Sequence, residues 1–384
     1  MKTHGSYTLT LVLLVVVTAT VTAQSNEHME RARRVLAQTP LIDGHNDLPW
    51  AIRAFEAAPR SVTGYDLTRR APGHTDLERL SQGMLGAQFW SVYIPADYAD
   101  SGFARVQLEQ IDIARQFIAK YSGHFEMARG ASDIERIFAS GKIASMLGVE
   151  GGHAIENSLG VLRTYYDLGA RYMTLTHGGT IDWADSATDE ERHGGLTRFG
   201  EEVVREMNHM GMLVDLSHVS PAGMSDALNV AEAPVIFSHS SARALVDHPR
   251  NVPDSILQRL PENGGVVMVT FVRSFVSNDE ATASMSDVAD HIEHVRRIAG
   301  GDHVGIGGDF DGIDAGPEGL EDVSTYPALF AELSRRGWGD EDLGKLAGEN
   351  LLRVIREAER TARRLQRERP PSTKTIHELD GSVM

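Results

Sequence analysis

The sequence predicts a (β/α)8 TIM-type barrel. Eight short apolar segments alternate with helical segments along the chain, and this alternation is typical of parallel strands connected by helices. The predicted strands are Leu41–Asp47, Gly86–Ile94, Ile143–Val149, Tyr172–Thr176, Leu213–Leu216, Val235–Phe237, Val266–Phe271 and Val304–Gly307. His, Asp or Glu residues stand at most of the strand ends, where barrels carry their functional groups. A doubly wound open sheet is the main alternative, but no Gly-x-Gly-x-x-Gly follows the first strand.

Helical patterns and their end signals separate these strands. Ser158 and Gly169 are placed as the cap and the stop of one helix, and Ser220-Pro221 supply the cap and first-turn proline of another. The other predicted helices are Glu27–Gln38, Asp76–Gln82, Ala104–Tyr121, Ser132–Ser140, Phe199–Met210, Asp254–Leu260, Ser286–Ile298, Tyr326–Arg336 and Asp340–Gln366. No linker or internal repeat divides the pattern, so we expect residues 24–366 to form one domain.

The two ends of the chain differ from this central part. Lys2 and His4 precede an apolar run, Leu9–Val17, and the small residues Val21-Thr22-Ala23 follow it. This arrangement is typical of an export signal, which we expect to cover residues 1–23 and to be removed, leaving a periplasmic or secreted protein. Residues 367–384 are polar and contain prolines, and we expect a disordered tail without a lipid-anchor signal.

Composition excludes several functions. The 384 residues carry a formal net charge of −17, which argues against nucleic acid or an anionic membrane as a partner. There is no cysteine, so disulfides, thiolate metal sites and cysteine nucleophiles are excluded. The sequence also lacks a Gly-x-Ser-x-Gly motif, a P-loop and a His-Glu-x-x-His motif. Any metal must therefore be held by His, Asp or Glu, the ligand set that suits Zn, Mn, Co or Fe.

His45 and Asp47 lie two residues apart at the end of the first apolar segment. In a strand this spacing puts both side chains on one face, where an imidazole and a carboxylate can hold one divalent cation. A lone His-x-Asp pair is common in turns, so the repetition of the pattern carries the prediction. Four later apolar segments also end in a potential ligand: Ile143–Glu150, Met212–His218, Pro234–His239 and Val304–Asp309.

Glu150 ends an apolar strand and precedes two glycines. A carboxylate buried there needs a counter-charge, and a cation supplies one; a structural salt bridge is the alternative. His218 and His239 end two successive strands and fit a second cation. The predicted arrangement is His45, Asp47 and Glu150 on one metal, and Glu150, His218 and His239 on the other. Two metals about 3.5–4 Å apart would hold a hydroxide between them.

Three further residues are candidates for chemistry, each with an alternative. Asp309 ends the last strand in a glycine-rich segment and could act as general base and acid, or it could be a turn aspartate, a role that Asp311 suits better. His177 could polarise a carbonyl oxygen, or it could be a core histidine. Arg250 could receive a substrate carboxylate, whereas taken alone it is better explained as a surface arginine. His291 is predicted to lie on a helix surface, together with His294.

Seven motifs together resemble the membrane (renal) dipeptidase family of zinc metallopeptidases, from about residue 30 to about residue 360. They are Asp43-Gly-His-Asn-Asp-Leu-Pro-Trp50, Gly148-Val-Glu-Gly-Gly-His153, Leu175-Thr-His177, Leu216-Ser-His-Val-Ser220, Ser238-His-Ser-Ser-Ala242, Arg250-Asn-Val-Pro253 and Gly307-Gly-Asp-Phe-Asp-Gly312. The chain resembles a bacterial-type member without an anchor, since animal members carry disulfides and a lipid-anchor signal that it lacks.

The resemblance implies a homodimeric barrel hydrolase with two Zn²⁺ per subunit, bridged by Glu150. The metal ligands would be His45, Asp47, Glu150, His218 and His239. By motif, His177 and Arg250 match the family's substrate-binding residues, and Asp309 its catalytic acid. Family members cleave dipeptides that have a free C-terminal carboxylate, often with a D-residue at that position, and some open β-lactams.

Two competing functions remain from the sequence. The first is another amidohydrolase-type amide, lactam or ester hydrolase; a neutral ester would need no carboxylate clamp, so Arg250 favours a dipeptide substrate. The second is a metal-binding protein without activity, which would be expected to lose a ligand or Asp309. All six of these positions are intact.

Overall fold

Nine parallel strands form in the described part of the chain, which in this computed structural model comprises residues 26–96, 98 and 102–381. The strands are β1 (Leu41–Asn46), β2 (Leu85–Ser91), β3 (Phe125–Met127), β4 (Ile143–Glu150), β5 (Ala170–Thr174), β6 (Leu213–Asp215), β7 (Ile236–Phe237), β8 (Val266–Val269) and β9 (Val304–Ile306). Eight of them pair in the ring order β1-β2-β4-β5-β6-β7-β8-β9 and back to β1. The predicted (β/α)8 barrel is confirmed.

The short strand β3 lies outside the ring and was not predicted. It pairs with the first residues of β4, Ile143 to Ser145, whereas β5 pairs with β4 only from Leu147 onward. The same edge of β4 therefore pairs first with β3 and then, further along, with β5. This leaves the C-terminal half of β4, which ends at Glu150, in the closed ring.

Helices surround the barrel. The first covers residues 26–38 (α1), and the others are α2 (Leu48–Ala54), α3 (Leu77–Gln82), α4 (Phe103–Lys120), α5 (Ala131–Ala139), α6 (Leu159–Leu168), α7 (Arg198–Met210), α8 (Pro221–Val230), α9 (Asp254–Leu257), α10 (Leu260–Asn263), α11 (Arg273–Val276), α12 (Met285–Ala299), α13 (Tyr326–Arg335), α14 (Asp340–Gly344), α15 (Asn350–Glu368) and α16 (Ile376–Asp380). A π-helical turn, Lys345–Glu349, connects α14 and α15.

Local signals fix several of these boundaries as predicted. The Ser158 hydroxyl accepts a hydrogen bond from the backbone N–H of Val161, and the Ser220 hydroxyl accepts one from Gly223, so both serines cap their helices. The predicted helix Asp254–Leu260 is instead divided into α9 and α10. Pro261 lies in the first turn of α10, where its missing N–H costs nothing, although it could not continue α9.

The predicted tail does not begin at residue 367, and residues 369–381 are ordered against α7. The Ser372 hydroxyl donates to Glu202 and its backbone N–H donates to Glu206, at 2.5 and 2.9 Å. Asp380 accepts a hydrogen bond from the Thr197 hydroxyl at 2.7 Å. These polar contacts, with the apolar packing of α16, correct the expectation of a disordered tail through Gly381. Residues 382–384 lie outside the described residues.

The predicted export signal, residues 1–23, also lies outside the described residues. Of the helices that the structure describes, none combines the length and apolar character needed to cross a bilayer.

Candidate active site

The C-terminal ends of the barrel strands surround a cavity of about 360 Å³. Seven of the eight predicted site residues line it: Asp47, Glu150, His177, His218, His239, Arg250 and Asp309. The eighth, His45, is fully buried beneath it, with its Nε2 3.2 Å from Asp47 Oδ2. The structure thus brings all eight residues together, although most follow the hydrogen-bonded strands by a few residues instead of ending them.

Glu150 lies at the centre of this cluster and is almost fully buried. Its Oε2 is 3.3 Å from His45 Nε2, whereas its Oε1 is 3.1 Å from His218 Nε2 and 3.5 Å from His239 Nε2. The two oxygens therefore face different histidines. This is the arrangement that a carboxylate needs in order to bridge two cations.

Potential ligand atoms converge in three overlapping groups. They are His45, Glu150 and His239; Glu150, His177 and His218; and His45, Asp47 and Asp309, and the atoms of each group lie within 4.8 Å of one another. Two of these groups share Glu150 and two share His45. The overlap is compatible with the predicted ligand sets, but it also brings His177 and Asp309 within reach of a cation.

The residues of this cluster fit a pair of divalent cations, because several of their nitrogen and oxygen atoms have no hydrogen-bond donor or acceptor opposite them. His45 Nε2 and Asp47 Oδ1 are buried without a hydrogen-bond partner in the described structure, and the Nε2 atoms of His218 and His239 face Glu150 Oε1. Burial alone would raise the pKa of Glu150, yet the neighbouring His45 and His218 hold that pKa well below its usual range. Burial would lower the pKa of His45, but Tyr172, Glu150 and Asp47 raise it well above its ordinary value. The cluster therefore stabilises positive charge at its centre.

The hydrogen bond of His45 to Tyr172 fixes the orientation of the first histidine. His45 Nδ1 lies 2.7 Å from the Tyr172 hydroxyl, which leaves Nε2 directed at Asp47 and Glu150. Tyr172 reaches across Gly148, where an added Cβ would lie 2.0 Å from the tyrosine ring. Glycine at 148 is therefore required for this contact. Such partners orient metal-binding histidines and tune their basicity.

A second chain of hydrogen bonds orients His239. Its Nδ1 is 2.8 Å from the Ser238 hydroxyl, which donates its only hydrogen to Asp215. Ser238 must then accept from His239 Nδ1–H, so the Nε2 lone pair is free for a ligand. Asp215 also accepts hydrogen bonds from the Thr174 hydroxyl and from two backbone N–H groups. This buried carboxylate ties together the ends of β5, β6 and β7.

Asp43 was missed by sequence reasoning. It is fully buried beside His45, and its carboxylate accepts hydrogen bonds from the backbone of His45 and Gly308 and from the side chains of Gln88 and Tyr326. It therefore connects β1 and β2 to the segment that carries Asp309. A signal was available, because Asp43 continues the two-residue spacing of His45 and Asp47.

Asp309 stands opposite Asp47 in a strained backbone. Its φ is 64°, in the left-handed region that non-glycine residues rarely adopt, and His218 has a φ of 68°. Gly312 separates the two carboxylates, since an added Cβ there would lie 2.3 Å from Asp47 Oδ2 and 2.7 Å from Asp309 Oδ1. Burial, with the charges of Asp47 and Glu150, raises the pKa of Asp309 well above its ordinary value.

Arg250 is buried, so the alternative of a surface arginine is wrong. The residue is 4% exposed, and its Nη1 has no hydrogen-bond partner among the described residues. The guanidinium lies 5.3 Å from the centre of the Phe275 ring, and its Nη2 donates to the His239 carbonyl at 3.4 Å. Burial lowers the pKa of Arg250 to about 10, so it remains charged at neutral pH.

His177 lies on the cavity wall rather than in the core. Its side chain is 31% exposed, and its Nε2 is 3.8 Å from Glu150 Oε1. The ring packs against Tyr93 and His218, with centroid distances of 4.8 and 4.3 Å. Burial lowers the pKa of His177, so that a neutral imidazole with one N–H faces the cavity at neutral pH.

Apolar side chains that the sequence did not single out complete the cavity. They are Trp50, Tyr93, Val272, Phe275 and Ile313. The prediction that His291 and His294 lie on a helix surface is also wrong, as both are buried. His291 Nδ1 accepts a hydrogen bond from the backbone N–H of Ala242, and its Nε2 is 3.2 Å from the Val276 carbonyl. It joins the loop after β7 to α11, next to Phe275.

Comparisons with known proteins agree with this geometry. The family model described as membrane dipeptidase, peptidase family M19, matches residues 29–369. Dipeptidase 3 of Rattus norvegicus is 46% identical over 336 residues, which are 86% of this chain and 67% of that protein. Dipeptidase verJ of Clonostachys rogersoniana is 44% identical over 352 residues, 89% of this chain and 90% of that protein.

A solved structure with bound ligand is also similar. It is a metallo peptidase from Rhodobacter sphaeroides, liganded with a phosphinate mimic of the dipeptide L-Ala-D-Ala. The TM-score is 0.76 at 26% sequence identity, and the match covers 83% of this chain and 99% of that one.

Proposed function

The chain belongs to the membrane dipeptidase family, peptidase family M19, a family of metal-dependent dipeptidases, and on this premise we propose that it is a dizinc enzyme that cleaves dipeptides with a free C-terminal carboxylate. The observation that carries the proposal is the position of the Glu150 carboxylate. One of its oxygens faces His45, and the other faces both His218 and His239. Zinc is proposed because the family resemblance implies it, and a set of imidazole and carboxylate ligands is compatible with it.

The proposed ligands are His45, Asp47 and Glu150 for one ion and Glu150, His218 and His239 for the other. When bound, two such ions would supply Lewis acidity and lower the pKa of a coordinated water towards neutrality. The protein's own part is to bind and orient the dipeptide and to move protons.

Arg250 orients the substrate. A buried guanidinium with a free Nη1 can donate parallel hydrogen bonds to the C-terminal carboxylate. The amino end of the dipeptide then lies towards Asp47 and Asp309, whose negative charges complement an ammonium group. With both ends held, the cavity accommodates one peptide unit, and a longer peptide would place a charged end wrongly.

His177 and Asp309 carry the chemistry of the peptide bond. The N–H of neutral His177 donates to the carbonyl oxygen as negative charge develops there, which stabilises the transition state more than the substrate. Asp309 accepts the proton of the attacking water and delivers it to the leaving amine. The pKa of Asp309 would be lowered from its raised value once cations were bound, which suits a group that must both take and give a proton.

Tolerance of a D-residue at the C-terminal position is part of the proposal. It is supported by the similar R. sphaeroides structure, whose ligand mimics L-Ala-D-Ala. We also propose that the protein is exported, on the strength of residues 1–23, and that it forms a homodimer as the family resemblance implies.

The test is a panel of L,L and L,D dipeptides, their C-terminal amides, a β-lactam and a neutral ester, assayed with metal analysis of the active protein. Cleavage of free dipeptides with two bound zinc equivalents is the expected result. Comparable cleavage of amides or esters would instead favour the broader amidohydrolase alternative.

A further inference from the structure

A second cavity adjoins the catalytic cavity and shares Asp311 and Ile313 with it. This side cavity has a volume of about 600 Å³ and is lined by residues that include Phe55, Glu56, Tyr65, His74 and Asp314. None of these five lines the catalytic cavity. The two spaces meet at the segment that follows Asp309, so a ligand held at Asp309 has the side cavity next to it.

Asp311 stands between the two cavities with an unused acceptor. Its side chain is fully buried, its Oδ1 accepts a hydrogen bond from the backbone N–H of His74 at 2.6 Å, and its Oδ2 has no partner among the described residues. Its own backbone N–H donates to His74 Nδ1 at 3.0 Å. Asp311 is thus held in place by His74 at the boundary between the two spaces.

The walls of the side cavity favour a side chain that has an apolar methylene chain and a positively charged end. Glu56 and Asp314 are exposed acids on its lining, and no Lys or Arg is present among the described residues that line it. Phe55 and Tyr65 pack edge to face with centroids 5.2 Å apart, so aromatic surface is also available to a cation. The alanines of this wall, Ala51, Ala54 and Ala57, offer apolar surface to a methylene chain.

The order of the strands decides which end of a dipeptide meets this cavity. Arg250 follows β7, whereas Asp311 follows β9 and Phe55 follows β1, which is the next strand in the ring. A carboxylate held by Arg250 therefore places the N-terminal residue towards β9 and β1. This step rests on the proposed function, because it takes the carboxylate clamp as given.

We propose that the side cavity binds the side chain of the substrate's N-terminal residue, and that it selects a long basic side chain such as lysine or arginine. The methylenes lie along the alanines and Phe55, and the cationic head lies between Glu56 and Asp314, the exposed acids of the wall.

The test compares kcat/KM for dipeptides that share a C-terminal alanine and differ in the first residue: lysine, Nε-acetyl-lysine, norleucine, glutamate and alanine. Lysine is expected to be the best substrate and glutamate the poorest. In the double variant Glu56→Gln/Asp314→Asn, the advantage of lysine over norleucine should fall by up to about fivefold per carboxylate, while Ala-Ala cleavage is unchanged. Glu191→Gln, an exposed acid outside the side cavity, is the matched control and should alter neither.

A second variant tests the space instead of the charge. Ala54→Leu narrows the side cavity and should lower kcat/KM for both lysyl and norleucyl dipeptides without affecting Ala-Ala. Equal rates for lysine, norleucine and glutamate, or a double variant that keeps the full preference, would overturn the inference. In that case Ala-Ala is still cleaved and the proposed function stands, whereas failure of every dipeptide would reject the proposed function itself.

Discussion

The Nε2 atoms of His218 and His239 face each other at 2.9 Å, and Oε1 of Glu150 lies beside both. The Ser238 hydroxyl fixes His239 with its proton on Nδ1, so its Nε2 offers a lone pair towards His218. Burial holds the pKa of both histidines well below the ordinary value. Two neutral imidazoles and a carboxylate directed at one point can together bind a divalent cation.

Glu150→Gln should abolish activity and reduce the bound metal to less than two equivalents. The amide has one oxygen, whereas two oxygens are needed to contact both metal ions. Metal content of the purified variant, measured by mass spectrometry, checks this. Glu190→Gln, at an exposed position, is the matched control. Full turnover by metal-free protein, or by protein holding a single equivalent, would contradict the two-metal proposal.

Tyr172→Phe should weaken metal binding by about 10–100-fold, since the variant removes the hydrogen-bond partner of His45 Nδ1 while keeping the ring that packs over Gly148. The measurement is the zinc concentration that restores half of the activity to the metal-free protein. Tyr166→Phe, a partly buried tyrosine elsewhere, serves as control. Equal zinc requirements for Tyr172→Phe and the wild type would show that this contact does not tune the site.

Asp309→Asn should keep the fold and both metals but lower kcat by about 10²–10⁴-fold, the usual contribution of a general acid–base group. Since Asp309 also lies within reach of His45 and Asp47 as a ligand group, metal content must be measured alongside kcat. Loss of one metal would assign Asp309 as a ligand instead. A near-normal kcat would move the proton-transfer role elsewhere, with Asp311 as the next candidate.

Arg250→Ala should raise KM for dipeptides by about 30-fold or more, because removal of one partner of a buried charge pair typically costs 2 kcal/mol or more. Amidation of the dipeptide carboxylate should have a similar effect on the wild type, and the matching tripeptide should be a poor substrate. His177→Asn, by contrast, should lower kcat more than it raises KM. If dipeptide, amide and tripeptide are cleaved comparably, the clamp does not exist.

Acid should destabilise the protein partly through His291. Burial lowers its pKa to about 4 from an ordinary value of 6.5. The unfolded chain therefore takes up a proton first, so this contribution is fully present above pH 6.5 and is lost as the pH falls towards about 4. One pKa unit corresponds to about 1.4 kcal/mol, so the loss in the free energy of unfolding is up to about 3 kcal/mol.

Urea unfolding between pH 7 and 4 measures this effect, with zinc held constant. His291→Gln should be less stable at neutral pH, since it loses ring contacts, but its stability should fall less steeply with acid than that of the wild type. The exposed His124→Gln is the control and should keep the wild-type slope. Identical slopes for all three proteins would remove His291 from the explanation.

The sequence by itself determined the barrel and the candidate residues of the site. Alternating apolar segments and helix signals are local, so the sequence alone sufficed to count eight strands and to place the caps at Ser158 and Ser220. The two-residue spacing of His45 and Asp47 is also local, and it put both side chains on one face. Because parallel strands of a barrel end on one face, the later ligands were expected to meet there.

Only the tertiary structure decided which atoms of these residues meet. Tyr172 reaches His45 from 127 positions away, and no short-range pattern specifies that approach across Gly148. The burial of Arg250 and His291 depends on loops packing over the barrel, and the ordering of residues 369–381 depends on acidic side chains of α7. The sharing of Glu150 between two sets of histidines likewise follows from strand register and ring closure. These are properties of the assembled chain, since they arise from contacts between segments that are distant in sequence.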